Sequence, residues 1–105
     1  MKIKITKDGA FSLKMERPLW DVLEQSVQKR ILEDGLDMEP YLWCLLKEVL
    51  QKIQLLDGAT LKLRRSEFFA LFDDYTICYV DEPTQILLQE FIDPLHKTVL
   101  FQQNL

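Results

Sequence analysis

The stretch Phe68–Ile92, FFALFDDYTICYVDEPTQILLQEFI, holds the densest run of apolar residues in the chain, and its reading decides the fold. Aromatic and β-branched residues suit a pleated, half-buried surface. On that basis Phe68, Phe69, Leu71, Phe72, Tyr75, Ile77, Tyr79 and Val80 predict one or two strands, and Ile86, Leu87, Leu88, Phe91 and Ile92 another. Alternation puts Tyr75, Ile77 and Tyr79 on one face, with Thr76 and Cys78 on the other. Asp81-Glu82-Pro83-Thr84-Gln85 reads as the connecting turn, since Pro83 cannot donate a ladder hydrogen bond. Asp73-Asp74 divides the first run, so two or three antiparallel strands are expected. Asp93-Pro94 then ends the last of them.

Outward from this stretch, the preceding residues read as its cover. Met1–Thr6 alternates, with Ile3 and Ile5 facing one way and Lys2 and Lys4 the other. Lys7-Asp8-Gly9 is a turn in which Gly9 takes positive φ. Phe11, Leu13 and Met15 alternate against Ser12 and Lys14, which completes an N-terminal hairpin. Its outward lysines discourage edge-to-edge association. Pro18 suits a helix start, and Trp20, Leu23, Val27 and Ile31 follow at helical spacing up to Gly35. Asp37 can cap a second helix, whose stripe is Leu42, Leu45, Leu46, Val49, Ile53 and Leu56, ending at Asp57-Gly58. The short connection predicts an antiparallel αα-hairpin. Leu61 and Leu63 alternate with Lys62 and Arg64 as a short strand. Leu95–Leu105 reads as a short strand or docked terminus. The fold class is therefore α+β: an N-terminal strand or hairpin, an αα-hairpin, then antiparallel strands in one sheet covered by the helices.

The chain has 105 residues, formal charge −4 and 48% hydrophobic content, with a pI near 4.9. That length makes one domain, 1–105, burying roughly two-thirds of its unfolded surface. No apolar run reaches the roughly 20 residues of a membrane helix, and the start lacks a signal-peptide core. A cytoplasmic protein with no membrane partner is expected. The acidic balance argues against nucleic acid as a partner. Cys44 and Cys78, in apolar contexts, read as buried free thiols, with a disulfide compatible but not required.

Chemistry is sparse. One His and two cysteines 34 positions apart make no zinc site. Phosphate-loop, dinucleotide and nucleophile-elbow motifs are absent, so no cofactor is expected. Cys44 or Cys78 with His96 is the remaining nucleophile pairing. The pairs Asp73-Asp74 and Asp81-Glu82 read as turn formers on a solvated rim or as paired carboxylates. Arg64-Arg65 is either a solvated strand face or a grip for phosphate or carboxylate. Tyr75 and Tyr79 read as sheet-packing residues. Trp43, Leu50 and Leu55 lie off the main stripe of the second helix. They imply burial on two sides, or a contact with a protein partner or a second copy.

The order of strand, αα-hairpin and antiparallel strands resembles the RelE/ParE toxin superfamily. The resemblance is carried by Asp74-Tyr75-Thr76-Ile77-Cys78-Tyr79, then by Ile86-Leu87-Leu88 and the distal His96-Lys97. It implies a toxin of a toxin–antitoxin pair, acting as a ribosome-dependent mRNA endonuclease or a gyrase poison. Arg64, Arg65, His96 and Lys97 would carry over as a partial basic set. Thr76 stands where the family's strand Arg falls, and Leu100 or Phe101 where a C-terminal Tyr falls. The acidic charge also departs from a ribosome-binding protein. The expectation is a shared arrangement without the activity: a non-enzymatic protein-interaction module.

Overall fold

In the computed structural model, backbone is described for residues 1–103 and side chains for residues 1–93. The chain begins as the alternation dictates, with β1 (Lys2–Ile5) antiparallel to β2 (Phe11–Lys14). Gly9 closes their turn at φ +84°, a left-handed conformation that favours glycine. Helix α1 (Arg17–Asp34) starts with Pro18 in its first turn and ends at Gly35. Helix α2 (Pro40–Gln54) starts on Pro40. Its N-cap is Glu39 rather than Asp37, and no side chain caps it. Strand β3 (Thr60–Leu63) then pairs antiparallel with β2, giving the order β1-β2-β3.

From here the structure departs from the strand reading. The stretch expected to form the central strands is helical: α3 (Arg65–Leu71), α4 (Asp74–Ile77) and α5 (Glu82–Gln103). The sheet is instead the N-terminal hairpin plus β3. The Glu67 carboxylate, accepting from the Arg64 N–H at 2.8 Å, starts α3, and two aspartates start α4 and α5. Asp73 accepts the Tyr75 N–H at 3.0 Å and caps α4. Asp81 accepts from the Thr84 N–H at 3.2 Å and its hydroxyl at 2.8 Å, at the start of α5. Pro83 occupies the first turn of a helix rather than a connection between strands, and there its missing N–H has no partner to lose. Asp93-Pro94 ends nothing, because α5 runs on through it to Gln103. The expected C-terminal strand is therefore also overturned.

The inner face of the sheet and the helices share one core. Phe11, Leu13, Leu61 and Leu63 point inward against Trp20, Leu23, Val27, Leu46, Val49 and Ile53. Helices α3 and α5 add Phe68, Leu71, Leu88 and Ile92. Phe11 stacks on Phe68 at 4.4 Å between centroids and 17° between planes. Each such large side chain contributes roughly 1.5–3 kcal/mol on burial. Trp20 is wholly buried, and its indole N–H donates to the Ala59 carbonyl at 2.9 Å. That bond satisfies the one polar group the ring carries inward.

Candidate interaction surfaces

Along α2, Trp43, Lys47, Leu50 and Gln54 follow at steps of four, three and four, so they share one face. That face borders the core stripe of Leu45, Leu46, Val49 and Ile53: Leu50 packs against the core edge, while Trp43, Lys47 and Gln54 are exposed. Trp43 is 36% exposed, Leu50 half-buried, and Leu55, at the C-cap, 75% exposed. The Lys47 ammonium lies 4.2 Å from the Trp43 ring centroid, a cation–π contact that steadies the indole at the surface. Trp43, Cys44, Lys47, Leu50, Gln51 and Gln54 line a hollow with Glu48. Beside it, Lys47 and Leu50 share a second hollow of about 220 Å³ with Gln28, Ile31 and Leu32 of α1. Leu32 there is 84% exposed.

Both cysteines are free and exposed, which corrects the expectation of buried thiols. The cause differs for each. Cys44 sits on the outer side of α2, and Cys78 is the C-cap of α4 rather than an inward residue of a strand.

The arginine pair divides. Arg64 precedes α3 and forms ion pairs with Glu48 at 2.6 Å and Glu67 at 3.3 Å. Arg65 is half-buried in the first turn of α3, its Nε buried without a partner. Glu67 is fully buried and reaches back to the Arg64 N–H at 2.8 Å, while Lys52 donates to the same oxygen at 2.7 Å. Burial pushes this carboxyl up. The Lys52 and Arg64 donors outweigh it and hold the group below the usual glutamate value. The other carboxylate oxygen, Oε2, is buried and unpartnered. His96 and Lys97 lie outside the described side chains.

A second polar centre, unforeseen in the sequence, joins α1 to α4. Arg30 is 5% exposed and donates to the Thr76 hydroxyl at 2.6 Å, with Asp73 at 3.9 Å. The Thr76 hydroxyl donates to the Ala70 carbonyl at 2.9 Å, and Ser26 donates to the Thr76 carbonyl. Tyr75, expected to pack in a sheet, is 70% exposed beside Arg30, and Tyr79 donates to Asp34 at 3.0 Å. Burial and the Asp34 carboxylate raise the Tyr79 phenol above its ordinary value. Period-3.6 spacing of Ser26 and Arg30 on the inner side of α1 was the available signal, masked by their polarity.

The acidic pairs resolve as helix starts: Asp73 and Asp81 cap, while Asp74 and Glu82 occupy first turns. Negative charge is favoured at both places. Among the described residues no group of three or more His, Cys, Asp or Glu side chains could hold a metal ion, and no helix is long and apolar enough to cross a membrane. The segment that carries the RelE/ParE resemblance, Asp74–Tyr79, is α4 with its C-cap rather than a strand. No family model, no curated protein and no solved structure matches the chain.

Proposed function

We propose that the chain is a protein-interaction module that docks through the outer faces of α1 and α2, and that a second copy of the chain is the occupant. The observation that carries this reading is the pair of adjoining hollows lined by Trp43, Leu50 and Leu32, which share Lys47 and Leu50; Leu55 is exposed at the C-cap of α2. Aromatic and aliphatic anchors of this kind dominate the energetics of interfaces. Charge favours a self-contact here over other parts of the surface. The face carries Lys47 and Glu48 among the amides Gln28, Gln51 and Gln54, so its charge is balanced. The rest of the helical surface is acidic and repels a second copy. An isologous contact lays the α2 stripe antiparallel on itself, which brings each Lys47 toward the other copy's Glu48. The two exposed, unpaired thiols support a reducing, cytoplasmic setting.

Light scattering across a concentration series tests the reading. A mass of twice 12.5 kDa is expected, reverting to one chain in Leu50→Glu. A thiol reagent should label Cys44 more slowly than Cys78 in the associated protein and equally in the variant. A monomer throughout, with equal labelling, would sink it. Growth arrest on induced bacterial expression, relieved by Arg65→Ala, would instead favour the toxin that the RelE/ParE resemblance implies.

A further inference from the structure

The net charge of −4 conceals a separation. The strand register places Lys2 beside Lys14 and Thr60 in one row, and Lys4 beside Ser12 and Lys62 in the next. Side chains alternate along each strand, and Ile3, Leu13 and Leu61 of the intervening row pack toward the core. The four lysines therefore share the outer face of the sheet, and all four are exposed. Neighbours in this array stand about 5 Å apart across strands and about 7 Å apart along them.

Lys2, Lys4 and Lys14 have no ion-pair partner among the described residues. Lys62 alone is engaged, by Asp8 at 3.3 Å. Glu16 borders the array where Lys2 and Lys14 line a shallow hollow. Residues 1–14 with 60–63 hold five lysines (Lys2, Lys4, Lys7, Lys14, Lys62) and one acid, Asp8. The rest of the chain holds eight basic and sixteen acidic residues. Like charges opposite each other destabilise a sheet, so placing Lys2 against Lys14 is a cost that the fold carries.

We infer that this face binds the phosphate backbone of duplex nucleic acid, without reading its sequence. Three features select that partner. Protein interfaces are depleted in lysine and anchored by aromatic or arginine side chains, and this face presents neither. Platforms for single strands stack bases on aromatic rings, which are also missing here. What the face does present is compact ammonium groups with the hydroxyls of Ser12 and Thr60 among them, the donor types that contact phosphate.

The acidic remainder of the molecule does not cancel this field. The protein measures 36 × 29 × 26 Å, and charges beyond about 8 Å are largely screened at physiological salt.

Fluorescence anisotropy with a labelled duplex of about 20 base pairs tests this, at low and rising salt. The expected affinity falls about forty-fold between 50 and 200 mM salt, as phosphate contacts from the three unpaired lysines require. Lys4→Gln with Lys14→Gln should flatten the salt slope by about 1.8, since each contact contributes about 0.9. Asp8→Asn, which frees Lys62, should strengthen binding. Lys29→Gln, at an exposed position of α1 outside the docking face, should leave it unchanged. Circular dichroism of each variant confirms that the fold is retained. Absence of binding at low salt would overturn the inference. So would binding that survives the sheet substitutions, or binding to phosphatidylserine vesicles but not to the duplex.

Discussion

Burial pushes the Glu67 carboxyl upward, and Lys52 with the Arg64 N–H pulls it back below the ordinary 4.5 of a glutamate. A carboxylate whose pKa is depressed by folding contributes stability that is fully present above its unfolded value. That stability is lost as pH falls through the folded one. Denaturant midpoints should therefore hold steady at neutral pH and decline below about 4.5. Glu67→Gln removes the charge-assisted bonds and should cost roughly 1–3 kcal/mol at neutral pH. It should also flatten that acid limb, and an unchanged pH profile in the variant would show that Glu67 does not govern it. Lys52 keeps 39% of its side chain exposed, so losing its partner leaves it hydrated and holds the cost to this range. The same pair fastens α2 to the first turn of α3, and so fixes where the chain turns after the sheet.

At the scale of elements, α5 is the sharpest test of the helical third of the chain. Leu87 is exposed in its second turn. Leu87→Pro should cost about 3 kcal/mol or more, because it deletes a helix bond and adds a clash. Leu87→Ala should be nearly neutral. The difference is read from urea unfolding, and two equal effects would contradict a helix there. The same region shows why part of the fold was legible and part was not. The N-terminal hairpin has strict alternation and a glycine where positive φ is required, and α1 and α2 have long apolar stripes with proline in the first turn. Phe68, Leu71 and Phe72, or Leu88 and Ile92, are also spaced for a helix, but their short runs are rich in residues that favour strands. The Asp73 and Asp81 caps decide the matter for α4 and α5, and an aspartate ahead of an apolar run serves a turn or an N-cap equally well. The burial expected of Cys78 failed for the same reason, since it owes its exposure to a helix end. Of the three residues that stand off the α2 stripe in the sequence, Trp43 and Leu55 are exposed and Leu50 is half-buried against the core. The lysine array was not legible as a single field, because net charge averages over faces that only the β2–β3 register separates.

For the whole molecule, the sheet pairs residues far apart in sequence: Leu13 meets Leu61 across the entire αα-hairpin. The turns and helices before β3 are local, and their contacts close cheaply. The third strand must wait until α1 and α2 have folded back, since ordering so long a connection costs entropy first. This sets a direction in time. During synthesis the first hairpin leaves the ribosome with one edge of β2 unpaired, and that edge stays open until residue 63 has emerged. Replacing Leu63 by Ala should cost about 2–5 kcal/mol, as for other buried leucines. If strand β3 docks after the rate-limiting barrier, that loss appears almost wholly as faster unfolding in stopped-flow experiments. Slower refolding would place its docking in the nucleus. Either way, the interval before residue 63 is when the nascent chain exposes a bare strand edge, and β3 is the element that ends it.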